Sequence, residues 1–283
     1  KLSVGAGFGY QMGSVLLSQI MLAPTGQVEP VNYIPIYAEF EGSGSAISYN
    51  FGILYKVLEN FNIALTYNGG TPMKLEGDSK LDAYIAQAFL TADPGTYTDG
   101  VMSSEGSFTT ELPMPYIIGF GTSYLLNECW TFNFDFAYTG WSAFNELKIE
   151  FGEEDTDPLG NPMEDVVQPR EWKDTFRFSL GAQRKFGEKL TVNFGYYMEN
   201  SPIPDGSFDP LIPDTGLKNA VNIGAVYNLS ETMEITFNFE NTFTPERDIK
   251  EFEDLDEDGE YDNVAGIYNV NIVSGNLGIT YKF

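Results

Sequence analysis

The stretch from Trp130 to Trp141, WTFNFDFAYTGW, limits what this chain can fold into more than any other. Trp130, Phe132, Phe134, Phe136 and Tyr138 take every second position, with Thr131, Asn133, Asp135, Ala137 and Thr139 between them. A period of two belongs to a β-strand, whose successive side chains point to opposite faces. A soluble sheet also buries one apolar face, so the alternation alone leaves the solvent open. The second face decides it: Asn133 and Asp135 stand mid-strand, and the strand runs on through LKIEF. Aromatic rings toward lipid and polar groups toward a watery or ligand-filled lumen satisfy both faces at once.

The same pattern recurs along the chain. Leu2, Val4, Ala6, Phe8 and Tyr10 alternate with Ser3, Gly5, Gly7, Gly9 and Gln11, and the glycines suit close approach by another element or a ligand. Alternating runs follow at 45–57, 62–76, 106–126 and 130–150, then at 172–186, 190–198, 218–228 and 233–243, and a final run ends NLGITYKF. These are ten strands, joined alternately by short turns and by long loops at about 12–42, 77–105, 151–171, 201–216 and 246–266. Short turns at one end and long loops at the other are expected of an antiparallel transmembrane outer-membrane β-barrel, read here as a single all-β domain over 1–283. Within the first long loop SVLLSQIMLAP reads as an apolar helix or loop. Within the second, Leu81, Ile85, Ala88 and Phe89 sit at helical spacing and predict an amphipathic helix.

Composition agrees. Hydrophobic content is only 42%, yet 22 Phe and 17 Tyr are present, and barrels concentrate such rings on the lipid face. No run of about 18 apolar residues offers a transmembrane helix. A net charge of −26 excludes nucleic acid as a partner, because phosphates require a basic surface. The absence of histidine removes His triads and His zinc sites, and one cysteine, Cys129, permits neither an internal disulfide nor a Cys metal site. No constellation for enzymatic acid–base work stands out among the 41 acids.

Three segments carry a family resemblance. WTFNFDFAYTGWSAFNELKIEF, WKDTFRFSLGAQRKF and YYMENSPIPDGSFDPLIPDTG resemble the FadL/TodX family of outer-membrane transporters for long-chain fatty acids and other hydrophobic compounds. KLSVGAGFGY is similar to middle strands of that family, and Phe283 matches its C-terminal aromatic signal. The resemblance implies a fourteen-stranded barrel plugged by an N-terminal hatch, of which this chain supplies ten strands and no hatch; a complete ten-stranded barrel is the competing reading. It also implies passive transport in the outer membrane of a Gram-negative-type bacterium, with no required cofactor. A structural or secretion-partner barrel and a general porin are the alternatives. Implied partners are a hydrophobic ligand, outer-membrane lipid and lipopolysaccharide, and other proteins at the long loops.

Candidate sites follow from both readings. The resemblance implies an extracellular capture groove, which maps onto Leu16, Leu17, Ile20 and Met21 in one loop and Ile85, Phe89 and Leu90 in the next. An acyl chain needs such an apolar concave surface, although the two segments could equally pack on each other as a loop core. A carboxylate head needs a cation, and Arg177 is the clearest inward one, unless it pairs with Asp135, Glu199 or Glu234. Trp141 and Trp172 read as interfacial or packing aromatics. Asp254, Asp256 and Asp258, followed by Gly259, Glu260 and Asp262, resemble the start of an EF-hand-type calcium loop. Position twelve is Ala265 rather than Glu, so a solvated acidic loop is the competing reading.

Overall fold

The computed structural model describes residues 1–24, 33–86, 99–158, 160–210, 212, 214–257, 259 and 261–282. It is built from sixteen strands: β1 (Leu2–Pro24), β2 (Tyr33–Leu58), β3 (Phe61–Gly70), β4 (Met73–Ala86), β5 (Asp99–Leu112), β6 (Ile117–Leu125), β7 (Trp130–Thr139), β8 (Glu146–Phe151), β9 (Val166–Pro169), β10 (Thr175–Phe186), β11 (Leu190–Glu199), β12 (Lys218–Asn228), β13 (Met233–Phe243), β14 (Arg247–Ile249), β15 (Gly266–Tyr268) and β16 (Asn271–Tyr281). All but β14 and β15 join one antiparallel sheet.

Ten strands form its lower tier, in the order β1-β2-β3-β6-β7-β10-β11-β12-β13-β16. They are the ten alternating runs of the sequence, each beside its neighbour in the chain. Their outer face carries half-exposed rings and aliphatics such as Phe51, Phe120, Phe178, Leu180, Phe194 and Phe237. Two aromatic girdles bound this band. Tyr49, Tyr67, Tyr116, Tyr138 and Phe176 form a continuous upper row with centroids 5.3–6.2 Å apart. Below, Phe61 meets Tyr124, Trp130 stacks on Phe132, and Arg184 spreads over Trp130 and Phe186. Tyr138 and Trp130 are separated by eight residues, about 26 Å of strand, which suits a tilted crossing of a bilayer core.

The first five of these strands continue upward as a second tier. The 26 residues of β2 serve both tiers. Ser48–Leu58 pair with β3, whereas Ile36–Ser45 pair with β4. The chain leaves β3 at Gly70, turns through Thr71 and Pro72, and resumes beside β2 as β4. Pro113 and Pro115 make the corresponding break between β5 and β6, because proline cannot donate to the ladder. β5 then pairs β8, and β8 pairs β9.

This tier corrects two expectations. SVLLSQIMLAP is neither helix nor loop: β1 runs unbroken to Pro24, paired to β2 at every residue. The amphipathic helix is also overturned where it can be seen, since Leu81 and Ile85 lie in β4; Phe89 and Leu90 fall outside the described residues. Pairing with β2 on one side and β5 on the other satisfies the β4 backbone, and this non-local gain overrides the helical spacing.

Along β2 the two faces exchange character. Odd positions read Tyr55, Ile53, Phe51, Tyr49 and Ile47 in the lower tier, then Ser45, Ser43, Glu41 and Glu39 in the upper. Even positions read Gly52, Asn50 and Ser48 below, then Phe40, Ala38 and Ile36 above, the last three at most 7% exposed. The β1–β2 register is unbroken, so no residue slip causes the exchange. A strand leaving lipid for water requires it: the outer face changes solvent near Ser43–Ser45, and the inner face becomes a buried core instead of a wetted wall.

Candidate functional site

The inner face of the upper tier is a compact apolar surface. Ile36, Ala38 and Phe40 of β2, Leu81 and Ala83 of β4 and Phe108 of β5 form it, flanked by Val15, Ile149, Phe151 and Met163. Phe40 meets Phe108 edge-on at 5.5 Å and Phe151 at 6.1 Å. The tightness depends on glycine. A Cβ at Gly44 would lie 1.8 Å from the Lys74 carbonyl oxygen, and one at Gly77 would lie 2.0 Å from that of Glu41. The outer face of the same tier is charged on β2, β4 and β8, while β1 exposes Leu16 and Ile20 there. Lys80 pairs with Asp82 at 3.1 Å, and the Ser103 hydroxyl donates to Asp82 at 2.5 Å; together they hold this carboxyl below its ordinary range. Lys148 lies between Glu150 at 2.7 Å and Asp165 at 3.0 Å, which raises its ammonium pKa.

The residues expected to form a capture groove divide between these faces. Leu17 pairs with Phe40 and so occupies an inner-face position, and Met21 is the register partner of Ile36. Leu16 pairs with Glu41 and Ile20 with Tyr37 on the outer face. Leu17 is 54% exposed, at the rim of the apolar surface, beside the nearly buried Phe40. Ile85 sits at the β4 register position opposite Gly100. The chief contributors, Ile36, Phe40, Phe108 and Phe151, were not among the expected set. The alternation IPIYAEFE over 34–41 was the available signal, since its apolar parity is opposite to that of 47–55.

Lower on the inner face stands a charged row. Arg177 has Ala137 and Glu199 as register partners, while Asp135 lies opposite Ser179 and Gly121. The expected juxtaposition of Arg177 with Asp135 is thereby displaced by one pair. The guanidinium lies over the Tyr197 ring, 3.9 Å from its centroid, and among the described residues it makes no ion pair. Lys218 is instead engaged by Asp214 at 2.8 Å and Glu199 at 3.8 Å.

Above β10–β13 the long loops pack as a cap. Ile203, Phe208 and Ile249 are its core, with Trp172, Ile212 and Tyr268 around them. Trp172 packs on Trp141 and Phe144 at 5.1 and 4.8 Å, a packing role. Arg247 grips Asp205 through two nitrogens at 2.8 and 2.6 Å, donates to the Ile203 carbonyl at 2.8 Å and covers Phe208. The buried Asn263 donates to the Asp205 and Glu251 carbonyls and accepts from the Glu253 amide. The acidic loop lies on this cap. Carboxylate oxygens of Asp254, Asp256 and Asp262 come within 4.8 Å of one another. Gly259, at φ +94°, makes the turn, and its amide donates to Asp254 at 2.9 Å. Asp258 and Glu260 lie outside the described residues. Such a set of hard oxygens has the chemistry of a calcium site.

A family model described as "Outer membrane protein transport protein (OMPP1/FadL/TodX)" matches residues 1–283. The long-chain fatty acid transport protein of Escherichia coli (strain K12) is 27% identical over 219 residues, covering 73% of this chain and 46% of that protein. Its counterpart in Salmonella typhi is 29% identical over 178 residues, covering 62% and 38%. The chain thus spans about half the length of these relatives. A Pseudomonas aeruginosa FadL homologue of known crystal structure aligns with TM-score 0.72 at 19% identity, over 99% of this chain and 64% of that one. The Ralstonia pickettii toluene transporter TbuX aligns with TM-score 0.62 at 16% identity, over 99% and 64%. At these identities the two structures establish the barrel fold.

Proposed function

The chain belongs to the outer membrane protein transport protein family (OMPP1/FadL/TodX), proteins of the Gram-negative outer membrane, and on that premise we propose that it takes part in passive transport of hydrophobic small molecules such as long-chain fatty acids. One observation carries the reading: above the bilayer the sheet turns a continuous apolar face inward, while β4 and β8 carry ion pairs outward. A hydrophobic solute arriving through water meets an apolar surface on the inner side at the exposed Leu17, beside Phe40. Each methylene buried there contributes about 0.8 kcal/mol, enough to concentrate a long acyl chain. The wall below is polar, so the chain is held less tightly as it descends and can move on. Arg177 supplies the cation for a carboxylate head, because its charge rests on a ring rather than on an acid.

The two faces of β1 provide the test. Leu17→Glu should lower fatty-acid uptake by about tenfold, the effect of placing one charge in an apolar contact surface. Leu16→Glu, one residue away on the outer face, should leave uptake within about twofold of the parent. Equal losses in both variants would reject the inner face as the capture surface.

The cap loop completes the proposal. Asp254 and Asp256, the first two acids of the DxDxDG run 254–259, together with Asp262 three residues beyond it, would hold a calcium ion with the weak affinity of an extracellular site, Kd about 0.1–1 mM. Calorimetry of the whole protein with calcium chloride should give a binding heat that Asp256→Asn removes. A heat that survives this substitution rules the site out.

A further inference from the structure

On the outward parity of the ten lower strands, the described residues carry aliphatic, aromatic or uncharged polar side chains at every position but one. The exception is Arg184 of β10, which stands between Trp130 of β7 and Val192 of β11. Its guanidinium lies 5.1 Å from the Trp130 centroid and 4.5 Å from that of Phe186. Among the described residues it makes no ion pair, although Glu128 and Glu188 stand in turns at this end. Those turns, 126–129 and 187–189, are short, so this is the periplasmic end of the wall. Directly above Arg184 a groove of about 480 Å³ opens in the outer face. Ala182 forms its floor, with Phe132 and Phe194 as register partners on either side of the short side chain. One level higher Leu180 stands between Phe134 and Tyr196. The strands that carry these residues, β7, β10 and β11, are each paired on both sides, so the groove is part of the continuous wall and lies outside the lumen.

Lipid is the solvent of this face, so a chain of the bilayer fills the groove. Moving from bulk lipid into it brings no hydrophobic gain, since both surroundings are apolar. Shape and the head group therefore decide which lipid stays. A guanidinium offers a planar fork of donors that matches a phosphate bidentately. Arg184 sits where the hydrocarbon ends, beside two rings and no acid, and a lipid phosphate is the counterion at that depth. Two residues of strand, about 7 Å, separate Arg184 from Ala182. That span suits a phosphate at one end and the first methylenes of an acyl chain at the other. We propose that the outer face binds one phospholipid of the periplasmic leaflet, with its phosphate on Arg184 and one acyl chain in the groove over Ala182.

Native mass spectrometry of the full-length protein in detergent, titrated with dioleoylphosphatidylglycerol or with dioleoylglycerol, provides the test. The two probes share their acyl chains and differ by the phosphate-bearing head. The parent should bind the phospholipid about tenfold more tightly, the effect of one charge-assisted contact. Arg184→Met keeps an apolar stem against Trp130 and Phe186 and suits a lipid-facing position. It should erase that preference and leave dioleoylglycerol binding unchanged, which also reports an intact wall. Ala182→Leu fills the groove but leaves Arg184 in place, and it should weaken both probes about fivefold. A parent that binds the two probes alike, or a preference that survives Arg184→Met, overturns the assignment of the phosphate to Arg184. Unchanged binding of both probes to Ala182→Leu takes the acyl chain out of the groove and overturns the site.

Discussion

Gly77→Val is expected to cost about 3 kcal/mol or more and to unravel the upper tier while leaving the lower strands in the membrane. Its Cβ would lie 2.0 Å from the Glu41 carbonyl oxygen and 2.4 Å from the Gly42 Cα. These are backbone atoms in the middle of a paired strand, so no rotamer change relieves the clash; β2 and β4 must separate. The consequence should be local. Above Ser45, β2 depends on β1 and β4, whereas from Ser48 downward it is held by β1 and β3. Limited trypsin digestion checks this directly. The variant should be cleaved at Lys74 and Lys80, the parent should resist, and both should keep the heat-dependent gel mobility of a folded barrel. Gly5→Ala is the matched control, since a Cβ there meets nothing within 4 Å. An intact upper tier in Gly77→Val would mean that β2 and β4 do not approach as described.

The second large effect concerns where lipid ends. Leu180, 58% exposed on the outer face, pairs with Phe134 and Tyr196 between the two aromatic girdles. Leu180→Arg should destabilise the protein by about 2–4 kcal/mol in vesicles, the cost of a cation near the bilayer midplane. Ile20, 72% exposed on the outer face of β1, looks as apolar in sequence but lies above the change of solvent. Ile20→Arg should change stability by no more than about 0.5 kcal/mol. Denaturant unfolding in lipid vesicles measures both. Comparable losses would place the upper part of β1 in lipid and remove the physical basis of the two-tier reading.

How legible these features were depended on their range along the chain. The ten lower strands could be read directly, because alternation of the kind seen in Trp130–Tyr138 is a local property of two-residue period. The short turns between them were legible for the same reason, whereas the connections expected at 12–42 and 77–105 hold strand residues of β1, β2, β4 and β5. The upper tier was not. Leu81 and Ile85 satisfy a helical spacing, and the pairing that makes them strand residues comes from β2, some forty residues earlier. The surface proposed for capture was half legible: the apolar character of 15–22 was evident, but only the β1–β2 register separates Leu17 from Leu16.

The chain by itself determined the ten lower strands, the side of each that carries the rings, and the acidic loop that begins with Asp254. Those properties are set by neighbouring residues and survive any arrangement of the rest. The tertiary structure alone decided what each face meets. Pairing of β2 first with β3 and then with β4 makes one strand serve two solvents, so the same parity is lipid-facing at Phe51 and water-facing at Glu41. Register likewise set Arg177 over Tyr197 and away from Asp135. A side chain's parity is local, but its environment depends on strands that are distant in sequence.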